Sequence, residues 1–376
     1  MTQADSTEPG RRPIRVMVVA GARPNFMKIA PLMAVMEQRP RFEATLVHTG
    51  QHYDTAMSES FFRDLGIPEP DVNLGVGSGT HGEQTAQVLM KIEALLLESP
   101  FDLVLVVGDV NSTLAATIAA VKLGIPVAHV EAGLRSGDRA MPEEINRILT
   151  DSVSDWLFTT ESAADENLRT EGIDPARIHF VGNVMIDTLL GHVERARALD
   201  VASKLDVEPG RFALLTLHRP SNVDDPDSLR RLVEVLEKIH ERVPVIFPVH
   251  PRTRAAFEKL LGGRKPELGL CDPLGYLDFL SLMDSAAMVL TDSGGIQEET
   301  TALGTPCLTL RTSTERPVTC TQGTNTIVGT DPDRILDAAL ATLESPPTGA
   351  AVPPLWDGRA AERIIDVLER DLGGSS

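Results

Sequence analysis

Two acidic positions in the first half of the sequence follow strongly apolar runs and two more open a predicted helix, and carboxyl groups in such positions could transfer protons. Asp109 ends the run LVLVVGD, Glu131 ends IPVAHVE, and Glu143 with Glu144 opens the predicted helix PEEINR. Acids at the carboxyl ends of parallel strands project into a cleft, where burial and neighbouring acids raise their pKa values. The cluster could therefore supply a base on one face of a substrate and an acid on the other. For Glu143 and Glu144 a simpler interpretation stays open, because acids in the first turn stabilise a helix.

Two histidines occupy equivalent places in successive strand–helix units of the second half. His218 ends FALLTLH and precedes Arg219, and His250 ends VIFPVH and precedes Pro251 and Arg252. Each histidine lies where the chain leaves the predicted sheet, so a role as core filler explains it poorly. Each could contact a phosphate or donate a proton. We find no ligand spacing typical of a metal site, and a diphosphate bound by arginines and amides needs no Mg²⁺, so we expect neither metal nor cofactor.

A pair of glycines follows the apolar run AMVLTD and opens another predicted helix. Ser293, Gly294 and Gly295 would present backbone amides at the helix start, where the helix dipole favours an anion. One turn further along, Glu298 or Glu299 could bind the vicinal hydroxyls of a ribose. The alternative is a well-capped helix whose acids are solvated.

A similar turn follows the first apolar run of the chain. Gly21 is followed by Arg23 and Pro24, and proline suits the first positions of a helix. The free amides and the planar cation of Arg23 suit a diphosphate. Glycine after a strand is common, however, so this turn alone is weak support for a binding site.

These residues are positioned by an alternation of short apolar runs and longer amphipathic stretches. Runs such as VMVVA and LVLVV are near-continuously apolar, as in strands covered on both faces. Their alternation with helices predicts parallel sheets with crossover helices, and hence an α/β fold. The predicted strands are 14–20, 44–49, 103–107, 127–130, 156–159 and 178–181, then 212–217, 245–249, 268–271, 288–291 and 307–310.

The same alternation divides the chain into two Rossmann-like domains. We expect the first domain over residues 1–195 and the second over residues 206–357, with the polar stretch 194–210 as the end of a helix and a linker. A long amphipathic helix is predicted at 358–372. Two such sheets in tandem place the carboxyl ends of their strands around one interdomain cleft, where a ligand binds.

The composition excludes several classes of partner. The chain of 376 residues is 42% hydrophobic and 24% charged, which is typical of a globular protein, and no run approaches the roughly 18 apolar residues of a membrane helix. The formal net charge of −19 disfavours nucleic acid and anionic membranes as partners. The cysteines, Cys271, Cys307 and Cys320, lack metal spacing and fit a reducing compartment, so we expect a cytosolic protein.

Taken together, the motifs resemble the non-hydrolysing UDP-N-acetylglucosamine 2-epimerases, bacterial enzymes of the GT-B fold. The likeness runs from about Arg15 to the last helix. It is carried by GARPNFMKIAPL, HTGQHYD, GDVNSTLA, HVEAGLRSGD, MPEEINRILTD, TLHRP, FPVHPRT, TDSGGIQEE and RTSTERP. The resemblance implies two Rossmann-like domains, with the C-terminal helix packing back on the first, in a homodimer that binds a UDP-sugar.

The resemblance also implies a mechanism and a set of residues. UDP leaves as the C2 proton is removed, giving a 2-acetamidoglucal, and returns after C2 is reprotonated on the opposite face. Which acid removes the proton stays open. Asn25 stands where the family has an acidic residue. The implied catalytic residues are Asp109, Glu131, Glu143, His218 and Lys28, and the implied substrate contacts are Arg23, Arg147, His250, Ser293, Gly294, Gly295, Glu298, Glu299 and Arg316.

A second nucleotide sugar regulates some bacterial members of this family. Gln51, Arg219 and His250 fit that allosteric site, whereas Asp54 stands where glutamine is usual and the arginine expected near Ser78 is missing. The sequence therefore leaves allosteric activation open.

Several other functions also stay open. HTGQHYD, GDVNSTLA and THGEQ also resemble epimerases of UDP-2,3-diacetamido-2,3-dideoxyglucuronate, which leaves the substituents at C3 and C6 of the sugar undecided. A hydrolysing epimerase, a GT-B glycosyltransferase and a non-catalytic nucleotide-sugar sensor are the remaining alternatives.

Overall fold

The computed structural model describes residues 12–50, 65–223, 225–249, 251–260, 262, 266–347 and 351–373. Gln51 and His250, two of the predicted site residues, lie outside this part of the chain, as does the side chain of Arg23.

The first half of the chain forms a sheet of seven parallel strands in the order β3-β2-β1-β4-β5-β6-β7. The strands are β1 (Ile14–Ala20), β2 (Phe42–His48), β3 (Val72–Asn73), β4 (Leu103–Val107), β5 (Val127–Ala132), β6 (Trp156–Thr159) and β7 (Ile178–Phe180). The helices are α1 (Arg23–Glu37), α2 (His81–Glu98), α3 (Asn111–Lys122), α4 (Pro142–Val153), α5 (Ser162–Thr170) and α6 (Val184–Arg197), with a 3₁₀ turn at Pro175–Arg177.

Helices cover both faces of this sheet, which explains why its strands are apolar throughout. Successive side chains of a strand point to opposite faces. Val18 of β1 lies in the same buried cluster as Ile29 of α1, whereas Met17 and Val19 lie in the cluster of Ile92 on the other face. The prediction that both faces are buried is therefore confirmed.

The second half forms a sheet of six parallel strands in the order β10-β9-β8-β11-β12-β13. The strands are β8 (Ala213–Thr216), β9 (Val245–Pro248), β10 (Gly269–Cys271), β11 (Met288–Thr291), β12 (Cys307–Thr309) and β13 (Asn325–Ile327). The helices that follow α6 are α7 (Val201–Lys204), α8 (Pro220–Val223), α9 (Pro226–His240), α10 (Pro251–Leu260), α11 (Tyr276–Ser285), α12 (Gly294–Leu303), α13 (Val318–Thr321), α14 (Pro332–Glu344) and α15 (Ala360–Gly373).

The C-terminal helix α15 returns to the first sheet. Ile364, Ile365 and Leu368 are buried in the cluster that also holds Val18 of β1. The carboxylate of Asp187, on α6, accepts hydrogen bonds from the first two backbone amides of α15, at 3.1 and 2.7 Å. A carboxylate at this position satisfies amides that a helix start leaves unpaired.

The sheets confirm the predicted α/β class with two parallel-sheet domains, and each sheet falls inside one of the two predicted ranges. The ranges 1–195 and 206–357 themselves stay a prediction. Sequence reasoning missed the short strands β3 and β13, and the polar stretch 194–210 contains the short helix α7. Among the helices that the structure describes, none combines the length and apolar character needed to cross a bilayer.

In each sheet the strand order reverses at one point, between β1 and β4 in the first and between β8 and β11 in the second. Ligands of doubly wound sheets bind at the carboxyl ends of the strands beside such a point. Asp109 follows β4, and His218 and Asp292 follow β8 and β11. The topology therefore brings the predicted chemistry to both switch points.

Candidate active site

Glu131 has an unusual backbone conformation inside β5. Its φ is 71°, and the register between β5 and β6 shifts between Val130 and Ala132, so Glu131 is the extra residue of a bulge. A residue other than glycine in this left-handed region costs roughly 1–2 kcal/mol. Strain of this kind is typical of functional sites, and the bulge re-aims the side chain.

The Glu131 carboxylate meets a cation from each half of the protein. Lys28 Nζ on α1 lies 2.6 Å from Glu131 Oε2, and Arg316 Nη2 lies 3.5 Å from Glu131 Oε1. All three side chains are at least nine-tenths buried. The predicted catalytic pair Lys28 and Glu131 is thus in contact and joined to Arg316.

Asp109 is paired with Arg147 and lies near the same cations. Arg147 Nη2 donates to Asp109 Oδ2 at 2.6 Å, and Arg147 Nη1 donates to Glu144 Oε2 at 2.8 Å. Burial raises the pKa of Asp109, but the charges of Arg147, Lys28 and Arg316 outweigh burial and hold that pKa below its usual value. The carboxyl group is therefore ionised at neutral pH, as a proton acceptor must be.

Glu143 and Glu144, the two neighbouring acids of α4, have different surroundings. Glu144 is buried and accepts hydrogen bonds from the backbone amides of Ser136 and Gly137 at 2.9 and 3.0 Å. Burial raises the pKa of Glu144, but these amides and Arg147 hold it below the usual range. The ionised carboxylate therefore holds the loop at Ser136 and Gly137 in place. Glu143 instead lines a cavity.

This cavity has a volume of about 290 Å³ and is lined by both Asp109 and Glu143. Neutral amides form much of the remaining wall: Asn111 Nδ2 donates to Gln84 Oε1 at 2.8 Å, and Asn146 Nδ2 donates to the Asp109 carbonyl at 2.9 Å. No lysine or arginine is among the described residues that line it. The cavity thus brings two of the predicted acids to one polar space.

His218 is oriented by a carboxylate at the second switch point. His218 Nδ1 lies 2.8 Å from Asp292 Oδ1, and Asp292 Oδ2 accepts hydrogen bonds from the Arg219 amide and from Asn222 Nδ2 at 2.9 and 3.1 Å. Burial raises the pKa of Asp292, but His218 and the backbone amides outweigh burial and lower it. An ionised aspartate fixes the ring so that its other nitrogen can act. Sequence reasoning did not single out Asp292.

The two glycines at the start of α12 differ in their surroundings. A Cβ on Gly294 would lie 2.5 Å from Arg316 Nη1 and 2.9 Å from Glu315 Oε1. Gly295 has room for one, since its nearest neighbour is Met185 Cε at 3.7 Å. Ser293 is the N-cap residue of this helix, and its side chain makes no capping hydrogen bond. Gly294 is therefore required where Arg316 approaches the helix.

Glu298 and Glu299 are buried, so the alternative that they are solvated is wrong. Glu298 Oε1 accepts a hydrogen bond from Asn183 Nδ2 at 2.9 Å, and Glu298 Oε2 lies 3.0 Å from Arg316 Nε. Tyr276 donates to Glu299 Oε1 at 2.9 Å. Burial, and then the charge of Glu298, raise the pKa of Glu299 to about 7.

Arg316 is the hub of the ion pairs. Its Nη1 lies 2.7 Å from Glu315 Oε1, in addition to its contacts with Glu131 and Glu298. Glu315 also accepts from Arg311 at 2.9 Å, and Arg219 Nη2 lies 3.9 Å from it. Arg219, predicted for an allosteric site, thus touches the edge of this cluster. Sequence reasoning missed Arg311 and Glu315.

Glu161 is a further acid that sequence reasoning missed. It follows β6, is 2% exposed, and neither carboxylate oxygen has a hydrogen-bond partner among the described residues. Burial, followed by the charge of Glu298, raises its pKa to about 7. In the sequence it reads as an ordinary residue at the start of a helix.

Most of the predicted residues therefore lie together. Within the part of the chain that the structure describes, there is no cluster of His, Cys, Asp and Glu that could hold a metal ion. The ion pairs form two sets: Lys28, Glu131, Arg316 and Glu298 are joined in one, and Asp109, Arg147 and Glu144 in the other. The charges of Lys28 and Arg316 also act on Asp109, so the two sets are neighbours.

Comparison with known proteins gives one consistent family. A model of the family described as UDP-N-acetylglucosamine 2-epimerase matches residues 34–369. A UDP-2,3-diacetamido-2,3-dideoxy-D-glucuronate 2-epimerase of Pseudomonas aeruginosa is 45% identical over 95% of this chain and 100% of its own. A UDP-N-acetylglucosamine 2-epimerase of Methanocaldococcus jannaschii is 41% identical over 94% of this chain and 99% of its own. The crystal structure of the Methanocaldococcus jannaschii UDP-GlcNAc 2-epimerase in complex with UDP-GlcNAc and UDP is 40% identical, with a TM-score of 0.86 over 95% of this chain and 100% of that one.

Proposed function

The chain belongs to the UDP-N-acetylglucosamine 2-epimerase family, and we propose that it interconverts UDP-N-acetylglucosamine and UDP-N-acetylmannosamine. It is an isomerase of the UDP-sugar 2-epimerase kind. One observation carries the proposal for this chain. Glu131 is paired with Lys28 and Arg316, the charges of the same two cations act on Asp109, and Glu143 shares a cavity with Asp109.

The chemistry explains why acids and cations must be combined. The C2 hydrogen of the intact sugar is not acidic, so a carboxylate removes it only as the anomeric C–O bond breaks and positive charge develops in the ring. UDP leaves with the bonding electrons, and the electrons of the C2–H bond form the C1=C2 double bond of a 2-acetamidoglucal. Cations around the diphosphate, with Lys28 and Arg316 as candidates, favour this cleavage because they stabilise the charge that develops on UDP.

Inversion at C2 requires protonation from the opposite face, so two groups must serve the two faces. The lowered pKa of Asp109 suits a base in the resting enzyme. Glu131 and Glu143 are the other two candidates, at the bulge of β5 and at the cavity wall. UDP then adds back to C1 of the reprotonated sugar, and the net reaction changes only the configuration at C2.

We assign UDP to the second domain. The amides at the start of α12, Ser293, Gly294 and Gly295, suit the diphosphate, and Glu299 suits the ribose. His218, which Asp292 holds in place, would contact the phosphate or donate a proton to the anomeric oxygen. Arg23 and His250 complete the predicted diphosphate contacts and stay predictions.

A second candidate substrate is UDP-2,3-diacetamido-2,3-dideoxyglucuronate. The observation that favours it is the 45% identity to the Pseudomonas aeruginosa relative over nearly the whole chain. Both candidates undergo the same inversion at C2, so the choice concerns only the substituents at C3 and C6.

We also propose a homodimer. The helix α3 packs against both α2 and α4, and all three helices carry large apolar side chains on the surface of the chain. A second copy covering them would remove apolar area from water. The exposed side chains are Met90, Leu97, Val121, Leu149 and Val153. Light scattering of Leu97→Lys with Leu149→Lys should show a monomer if these helices form the interface. Allosteric activation and a cytosolic location stay predictions.

The test of the function is an NMR assay that offers each UDP-sugar in D₂O. We expect deuterium at C2 of both epimers, with UDP retained on the sugar. A C2 position that stays fully protonated after prolonged incubation would rule out this mechanism. Stoichiometric release of UDP would indicate a hydrolysing epimerase. Turnover that requires an acceptor would indicate a transferase, and binding of the UDP-sugar without turnover would indicate a sensor.

A further inference from the structure

His129 and Asp151 hold the Glu131 backbone from a position outside the cleft. Both side chains are 0% exposed. Two residues before Glu131, His129 Nδ1 donates to Asp151 Oδ1 at 2.6 Å. Two residues after Glu131, the Gly133 amide donates to Asp151 Oδ2 at 3.1 Å. One carboxylate on α4 therefore brackets the bulge that carries Glu131.

The Asp151 carboxylate holds several partners at once. Burial raises the pKa of Asp151, but His129 and Arg135, whose Nη1 lies 2.8 Å away, outweigh burial and lower it. Its two oxygens can therefore bind the His129 ring, the Gly133 amide and Arg135 together. The other ring nitrogen, His129 Nε2, lies 2.8 Å from the Gly108 carbonyl.

The same ring reaches the other acid. The Gly108 carbonyl that accepts from His129 belongs to the residue directly before Asp109. The Gly108 amide donates in turn to the Val130 carbonyl at 3.0 Å, next to Glu131. The turn that carries Asp109 and the bulge that carries Glu131 are therefore linked through the side chain of His129.

We propose that Asp151 and His129 are positioning residues that set the spacing between Asp109 and Glu131. This inference rests on the proposed function, because the two acids matter only if they transfer protons. Neither residue contacts the cleft; both act through backbone groups on either side of the two acids. Asparagine at 151 would offer one oxygen where the carboxylate offers two, so it could not serve the ring, the Gly133 amide and Arg135 together.

The kinetic test compares Asp151→Asn with Asp155→Asn. Asp155 is a matched control, because its Oδ2 accepts the Val127 amide at 2.8 Å at the far end of the same strand. A shift of the reacting groups by about 1 Å lowers rates by up to about 100-fold. We expect kcat of Asp151→Asn to fall about 10- to 100-fold, with KM and the Kd for UDP within about 3-fold of the wild type. Asp155→Asn should keep a wild-type kcat.

Two further results separate positioning from a general loss of structure. In a Glu131→Gln background, Asp151→Asn should cause little further loss of the residual rate, since both act on one group. The inference is wrong if kcat of the folded Asp151→Asn variant matches that of Asp155→Asn. It is also wrong if kcat and UDP affinity fall together.

A spectroscopic test is independent of turnover. With ¹⁵N-labelled histidine, the signals lost in His129→Gln identify His129. The ring signals of His129 should move in Asp151→Asn and stay in place in Asp155→Asn. Unmoved ring signals in Asp151→Asn would overturn the inference, whereas wild-type protein that epimerises no UDP-sugar would overturn the proposed function and leave this result readable.

Discussion

Lys28 Nζ of α1 and Glu131 Oε2 of β5 lie 2.6 Å apart, and both side chains are at least nine-tenths buried. Arg316, from the second half of the chain, lies 3.5 Å from the other oxygen of the same carboxylate. Glu131, which the sequence already marked as a candidate for proton transfer, is therefore held by cations from both halves of the protein.

Replacing Glu131 by glutamine should abolish most turnover and spare nucleotide binding. The amide keeps the shape but cannot accept a proton at C2, and general-base catalysis contributes roughly 10²–10⁴-fold. We expect kcat to fall by about that factor, with the Kd for UDP from calorimetry within about 3-fold. Glu166→Gln, at an exposed position on α5, is the control. Equal losses of rate and UDP affinity would contradict the assignment.

Asp292→Asn should slow the reaction by freeing His218. The amide cannot accept from the His218 ring while also accepting the backbone amides that Asp292 now binds. We expect kcat to fall by about 10²-fold, because the ring is no longer held in one orientation. A kcat within about 3-fold of the wild type in a correctly folded variant would show that Asp292 does not orient the histidine.

Gly294→Ala and Gly295→Ala form a matched pair. A methyl group on Gly294 meets Arg316 and Glu315, whereas Gly295 has room. Arg316 is held by three carboxylates and cannot move without disturbing them. We therefore expect Gly294→Ala to displace Arg316 and to lower kcat/KM by about 10-fold or more. Gly295→Ala should retain the thermal stability of the wild type, because alanine favours a helix. Equal melting temperatures and rates for the two variants would refute the predicted difference.

Glu161 should make the protein less stable as the pH rises. Its pKa is raised to about 7, so between about pH 4.5 and pH 7 the folded protein binds more protons than the unfolded chain. The stability that this group contributes is present at low pH and is lost as the pH rises through 7. The free energy of unfolding should differ by roughly 3 kcal/mol between the two limits.

Glu161→Gln removes this titration. The variant should therefore have a higher Tm than the wild type at pH 8 and nearly the same Tm near pH 5. Differential scanning calorimetry across this range measures the effect, with Glu166→Gln as the control. A constant difference between the variant and the wild type at every pH would contradict the raised pKa.

The fold was predictable because its signals are local. A run such as LVLVV in β4 identifies a buried strand without reference to the rest of the chain, and regular alternation with helices fixes parallel pairing. The strands β3 (VN) and β13 (NTI) were missed because asparagine and threonine interrupt any apolar run there. The acids Asp109 and Glu131 could be found because they end two of the long runs.

The residues that support those acids could not be found in this way. Asp151 reaches His129 across 22 positions of sequence, and Tyr276 reaches Glu299 across 23. No pattern of residue types specifies these contacts before the sheet order is known. The buried state of Glu161 also depends on elements that follow much later, since Glu298 and Arg316 surround it.

The return of α15 to the first sheet affects how the protein is made. Ile364, Ile365 and Leu368 share a buried cluster with β1, so about 350 residues separate the two ends of that cluster along the chain. The ribosome delivers β1 well before α15. A separate cluster around β8 and β9 needs no residue of α15 and can pack earlier. Domains tend to fold in order of synthesis. The cluster that holds β1, in contrast, stays incomplete until α15 has been made.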